Sequence, residues 1–242
     1  MRISRLYTDQ QLEPGRHLSL DSRAAHYLAR VLKLRAGSPL VLFNGDGSDY
    51  AAEILSINKD TAELLINTRL PPAAESPFRI SLVQAVSRGE RMDYCLQKAT
   101  ELGVSSIQAL LTERVEVRLV EKRLARRMTH WRGVITSACE QSGRATVPRL
   151  FPPVPLHDWQ ASDTCAMRLV LDPRAGSSLS SRTFNAMAVE LLIGPEGGLS
   201  EAELKGLETA GVARVCLGPR ILRTETAGPA AIAVLQAMAG DF

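Results

Sequence analysis

The 242-residue sequence predicts a small β-rich domain followed by an α/β domain with a mainly parallel sheet. Three observations carry that prediction. The stretch Pro71-Pro-Ala-Ala-Glu-Ser-Pro77 excludes regular structure through its prolines and reads as a linker. Before it, short strand-like runs are separated by turn signals. After it, strands alternate with helices, the rhythm of a parallel sheet covered by helices. The expected domains are residues 1–72 and 73–242.

In the first domain Leu40–Phe43, Asp49–Leu55 and Thr61–Ile66 read as strands, with turns at Asn44–Gly47 and Asn58–Asp60. Its clear helical segment is Arg23–Leu32, where Ala24, Leu28, Val31 and Leu32 follow helical spacing. The second domain opens with strand Arg79–Val86, helix Glu90–Leu102, strand Ser105–Leu111 and a long helix near Glu121–Gln141. Strand-like Val147–Leu150 follows, then strands near Met167–Leu171 and Val189–Ile193, helix Glu201–Ala210, strand Arg214–Leu217 and a last helix near Thr226–Met238. Met92, Leu96, Ala99 and Leu102 form one apolar stripe. Ala227, Ala230, Ala231, Val234, Leu235 and Met238 form another. Ser200 and Glu203 have capping-box spacing, and Gly211 is placed to end the same helix.

Hydrophobic residues make up 45% of the chain and charged residues 23%, the balance of an ordinary globular protein. Cys95, Cys139, Cys165 and Cys216 form no C-x-x-C pair, and His17, His26, His130 and His157 lack metal-ligand spacing, so neither a metal nor a redox site is expected. The start, Met1-Arg-Ile-Ser-Arg-Leu, lacks a signal-length apolar run, and no window approaches a membrane span, so the expected location is the cytoplasm. The net charge of +3 is small, but basic residues cluster twice. Arg2, Arg5, Arg16, Arg23, Arg30, Lys33 and Arg35 lie near the start, and Arg114, Arg118, Lys122, Arg123, Arg126, Arg127 and Arg132 lie mid-chain. Such clusters are either a nucleic-acid footprint or solvated helix faces.

Ligands of open α/β sheets bind beyond the carboxyl ends of the strands. Three loops there have unusual composition: Asp172–Gly176, Gly194-Pro-Glu-Gly-Gly198, and Gly218-Pro-Arg-Ile-Leu-Arg-Thr-Glu-Thr-Ala-Gly228. Glycines let a ligand approach main-chain groups closely. The spacing matches neither a P-loop nor G-x-G-x-x-G.

Leu192-Ile-Gly-Pro-Glu-Gly-Gly-Leu-Ser-Glu201 followed by Leu217-Gly-Pro-Arg-Ile-Leu-Arg-Thr-Glu-Thr-Ala227 resembles the paired signature of the RsmE family, the 16S ribosomal RNA (uracil-1498-N3)-methyltransferases. Gln97–Val104, Ala138–Arg144 and His26–Leu32 support the resemblance, which spans nearly the whole chain. It implies a PUA-like β-barrel, then a SPOUT domain whose C-terminal segment threads a trefoil knot, and a homodimer acting on 16S ribosomal RNA within the small ribosomal subunit. It also implies S-adenosylmethionine held by Leu171, Gly194, Glu196, Gly197, Gly198, Leu217, Gly218, Ile221 and Leu222.

A uracil N3 carries a weakly acidic proton, so its methylation needs help in removing that proton or in stabilising the anion. Arg223 suits charge stabilisation. Glu225 either accepts the proton or caps the following helix, where negative charge is favoured. Arg30, Lys33, Arg114 and Arg126 are expected to contact RNA; the resemblance adds Arg144, with Glu140 and Gln141, at the substrate cleft. Two rival readings are a catalytically silent RNA-binding assembly factor, which the intact loop signature disfavours, and a methyltransferase for another base or a ribose hydroxyl.

Overall fold

The computed structural model describes residues 3–72, 74–116, 121–160, 167–184 and 186–242, with Glu121, Lys122 and Arg123 described in backbone alone. Met1, Arg2, Ala73, Arg118, Cys165 and the side chains of Lys122 and Arg123, all named above, therefore lie outside the described residues. The chain divides into two compact units, Met1–Glu75 with Cys139–Val147, and Ser76–Ala138 with Pro148–Phe242.

The first unit is a five-stranded sheet built from β1 (Arg5–Tyr7), β2 (His17–Leu20), β3 (Pro39–Phe43), β4 (Tyr50–Ile57) and β5 (Ala62–Arg69), in the order β1-β3-β4-β5-β2. The β1–β3 pair is parallel and the other pairs are antiparallel. Alternation in β5, with Ala62, Leu64 and Ile66 buried, directs one face to a core shared with Leu18, Leu40, Leu42 and Ile54. Register shifts along β4 at Ala51/Ala52 and Ile54/Ser56 bend the sheet over that core. The helical segment is α1 (Ser22–His26), capped by Asp21, continuing as a π-helical turn at Tyr27–Val31. That turn places Val31 outward, 59% exposed, instead of in the core where its sequence spacing put it. The strands β1 and β2 were not foreseen. At three and four residues they are too short to display a period.

The second unit contains β6 (Arg79–Ala85), α2 (Glu90–Glu101), β7 (Ser106–Leu111), α3 (Glu121–Ser142), β8 (Arg149–Pro155), β9 (Met167–Leu171), β10 (Ala188–Ile193), α4 (Glu201–Thr209), β11 (Ala213–Val215) and α5 (Thr224–Ala239), with the end of α3 counted in the first unit. Its six strands are all parallel, in the order β11-β9-β10-β6-β7-β8. Central β10 is buried at every position, as a strand covered on both faces must be. The prolines Pro152 and Pro153 fall in β8, an edge strand, where a missing N–H costs least. The capping box of Ser200 and Glu203 starts α4, and Gly211 (φ +80°) ends it while the N–H of Val212 donates to the Leu207 carbonyl.

Helix α5 is turned from its predicted face. Thr224, Gly228, Ala231, Ile232, Leu235 and Gln236 are buried, whereas Ala227, Ala230 and Val234 are half-buried and Met238 is 38% exposed. An alanine-rich helix has almost no polar face, so spacing alone does not orient it. No helix among the described residues is long and apolar enough to cross a membrane.

Candidate active site

All six strands of the larger sheet end on the same side, and β11, β9 and β10 are neighbours there. The loops that follow these three strands enclose a cavity of about 610 Å³. Leu171, Gly194, Glu196, Gly197, Gly198, Leu217, Gly218, Ile221 and Leu222 all line it, and so do Arg223 and Glu225. Buried Ile193, Leu199 and Leu204 complete an apolar floor. The N–H of Gly198 (φ +69°) donates to the Pro195 carbonyl at 2.9 Å, closing the turn that exposes the main chain of Glu196 and Gly197. Arg114, expected at an RNA surface, also lines the cavity, and its Nη1 donates to the Gly197 carbonyl at 2.9 Å.

Four carboxylates, Asp172, Glu196, Glu201 and Glu225, define the polar wall. Burial pushes Asp172 upward, but the Arg174 N–H at 3.0 Å and the Arg214 guanidinium overcome it and hold the carboxyl below the ordinary carboxylate range. Arg174 continues from Asp172 to Glu201 at the start of α4. Burial likewise acts upward on Glu196, yet main-chain N–H groups and Arg91, at 3.1 Å, leave its carboxyl below the usual range. Arg91 Nε also stands 3.9 Å from Glu225 Oε1. The other oxygen, Glu225 Oε2, is buried and finds no hydrogen-bond donor among the described residues.

Behind the cavity runs a buried polar chain. The Cys95 thiol donates to Gln84 Oε1 (3.2 Å), Gln84 Nε2 donates to Thr224 Oγ1 (3.1 Å) and to the Ala85 carbonyl (3.0 Å), and the Thr224 hydroxyl donates to the Gly194 carbonyl (2.7 Å). Gln84 is fully buried, Cys95 and Thr224 almost so. Gly228 of α5 packs beside this pair: a Cβ there would meet Gln84 Oε1 at 3.4 Å and Cys95 Sγ at 3.6 Å, ordinary contact distances. Burial drives the Cys95 thiol up to about 12, with the Glu225 charge acting in the same direction, so the sulfur serves as a neutral donor. The magnitudes rank these ties. The half-exposed Arg91–Glu196 pair is worth at most about 1 kcal/mol. Breaking the buried chain strands a polar group at a cost of roughly 1–3 kcal/mol.

Residues 74–236 match the family described as RNA methyltransferase domain, and residues 20–67 match the RNA methyltransferase PUA domain. The ribosomal RNA small subunit methyltransferase E of Buchnera aphidicola subsp. Schizaphis graminum is 34% identical over 242 residues, covering 100% of this chain and 98% of its own. The chain belongs to the ribosomal RNA small subunit methyltransferase E family. A family structure from Neisseria gonorrhoeae, bound to S-adenosyl methionine, superposes with TM-score 0.92 at 36% identity over 100% of both chains. A putative methyltransferase from Legionella pneumophila, in complex with the bound cofactor SAM, gives TM-score 0.96 at 38% identity, again over 100% of both chains.

The remaining predicted residues fall elsewhere. Arg30, Lys33 and Arg126 are exposed, and Lys33 has the left-handed φ of +54°, rare for a side chain with a Cβ. Arg144 is buried instead of presented. Its Nε and Nη2 grip Glu75 at 3.1 and 2.6 Å, while Arg5 donates to the Gly143 and Arg144 carbonyls at the end of α3. Arg144 is thus engaged in an ion pair with Glu75. Glu140 is engaged too, accepting from the Tyr7 N–H at 3.0 Å. Sequence reasoning passed over Gln84, Arg91, Thr224 and the ion pairs of Asp172. The one signal for Gln84 was a glutamine inside the otherwise apolar run Leu82-Val-Gln-Ala-Val86.

Proposed function

We propose that this chain transfers a methyl group from S-adenosylmethionine to N3 of a uracil in 16S ribosomal RNA of the small subunit, uracil 1498 in the family's numbering. The observation that carries the reading is Glu225 Oε2, a buried acceptor with no donor among the described residues, set in the wall of a cavity built from glycine-rich loops. Had Glu225 served only to cap α5, that oxygen would be expected on a first-turn N–H.

The cavity fits the methyl donor. Its volume of about 610 Å³ lies within the usual ligand range of roughly 300–1,000 Å³. A Cβ on Gly197 would stand 3.2 Å from the Arg114 Cβ, so the space between that loop and Arg114 depends on the missing side chain. Leu171, Leu217, Ile221 and Leu222 offer apolar surface to a purine ring, and Glu196 and Glu225 suit a sulfonium cation. When bound, S-adenosylmethionine supplies an electrophilic methyl carbon. Arg223, exposed at the N-cap of α5 with no capping bond of its own, offers paired planar donors to a uracil carbonyl oxygen as charge develops there. Glu225 takes the N3 proton, with Arg91 near enough to steady the carboxylate before transfer.

Exposed Arg30, Lys33 and Arg126 supply phosphate contacts, which position RNA without reading its bases. The half-exposed row Ala227, Ala230, Val234 and Met238 on α5 supports a homodimer, because small residues permit close helix packing. The test is mass-spectrometric nucleoside analysis of small-subunit RNA from cells with and without the gene. Loss of N3-methyluridine is expected. Unchanged methylation supports the assembly-factor reading, and loss of a different methylated nucleoside supports another target.

A further inference from the structure

We infer that Gln84 and Thr224 are positioning residues for methyl transfer, registering the Gly194–Gly198 loop against the α5 residues that meet the uracil. The inference rests on the donor site proposed above.

Thr224 is the first residue of α5, between Arg223 and Glu225, and its hydroxyl donates to Gly194, the first residue of the glycine-rich loop. A single hydrogen bond thus joins the loop that receives the donor to the helix start that carries the acid–base groups. Thr224 has one proton, and it goes to the Gly194 carbonyl, so the oxygen must accept from its other neighbour. That neighbour is the Gln84 amide, whose two N–H groups are taken by Thr224 Oγ1 and the Ala85 carbonyl. Its oxygen receives the Cys95 thiol. Reversing the amide would set oxygen against two acceptors, so the chain has one polarity. Gln84 lies near the carboxyl end of β6, which pairs in parallel with β10, the strand that delivers Gly194. The sheet itself therefore anchors the relay. None of these side chains needs to touch a reacting atom; their effect is to fix where Arg223 and Glu225 stand relative to the loop. In-line displacement is sensitive to such placement, and about 1 Å of error can cost about a hundredfold in rate.

The experiment uses the full-length protein with labelled S-adenosylmethionine and small ribosomal subunits from cells lacking the gene. Thr224→Val keeps the shape and removes the hydroxyl. Turnover per folded molecule should fall by about tenfold to a hundredfold. Donor affinity by calorimetry should stay within about threefold, since valine keeps the shape of Thr224 in the cavity lining and every other lining residue stays in place. Thr224→Ser restores the hydroxyl and should restore turnover. Gln84→Met, which keeps volume and loses the amide, should fall similarly, and the double variant should be no worse than either single one, because both cut the same chain. Wild-type turnover in Thr224→Val overturns the inference. So does a loss that follows only the unfolded fraction, or one that serine fails to rescue. If wild-type protein binds no S-adenosylmethionine, the donor site falls and takes this inference with it. If it binds and methylates while the variants are normal, the positioning role alone is wrong.

Discussion

The cavity at the strand ends of the larger unit and the basic rim of the smaller one are built on opposite principles. Around the cavity, Gly194, Thr224 and Gln84 are joined by buried neutral hydrogen bonds between 2.7 and 3.1 Å, and Asp172 and Glu196 are each paired with arginines. On the smaller unit, Arg23, Arg30, Lys33 and Arg35 stand exposed above a core of Leu18, Leu28, Leu40 and Ile54, and that core imposes little on where their charges point. On the function proposed above, the first arrangement should act through position and fail abruptly, and the second should act through summed charge and weaken in small steps.

The largest expected effect is that of Gly197→Val. The backbone there has no positive φ, so valine brings no backbone strain, but its Cβ would stand 3.2 Å from the Arg114 Cβ and crowd the cavity wall that both residues form. Calorimetry should register no donor binding, with a melting temperature near that of wild type. Wild-type affinity would show that the loop does not form the donor site, and the contrast between the two regions would lose its first term. Next comes Arg223→Lys, which keeps the charge and loses the planar fork. Turnover should drop about a hundredfold, the typical loss for one preorganised donor. Donor affinity should change little. If donor binding is the only defect, Arg223 belongs to the cofactor pocket.

What could be read from the sequence follows the same division. The three loops are legible because glycine and proline at strand ends are local chemistry, and Ser200 and Glu203 announce their helix within four residues. Gln84 is not, because its meaning depends on Thr224, 140 residues away. Arg144 misleads for the same reason. Its carboxylate partner Glu75 is 69 residues upstream, so nothing local in the sequence shows that this cation is buried and ion-paired. The orientation of α5 escapes sequence reading because alanine dominates it and leaves almost no polar face, and its buried face is selected by packing against α2 and the sheet strands β10 and β6.

A smaller effect is expected from Asp172→Asn, which probes stability in the wall of the cavity. Asp172 is held below the ordinary carboxylate range, so its charged form adds stability above that range and loses it as pH falls through the depressed value. Wild type should exceed the asparagine variant by about 2 kcal/mol near neutral pH, the scale of hydrogen bonds to a charged group. Thermal melts from pH 7 downward should show the two converging in acid. A gap constant across that range would mean that the Arg214 contact does not depend on the charge of Asp172.

The smallest single effect should be Arg30→Ala, and it measures the other side of the comparison. Arg30 is exposed on the π-helical turn of the smaller unit and is not a lining residue of the cavity, so its removal should leave donor affinity and folding untouched. Phosphate contacts release counterions, and removing one should lower RNA affinity a few-fold and reduce the slope of log affinity against log salt by about one. Arg126→Ala, exposed on α3, should behave alike, and the double variant should sum the two losses, whereas Gln84 and Thr224 should not sum. Binding of small-subunit RNA across a salt series decides it. Equal slopes for wild type and both variants would make these arginines ordinary solvated surface, and the rim would have to be sought among other exposed cations such as Lys33 and Arg35.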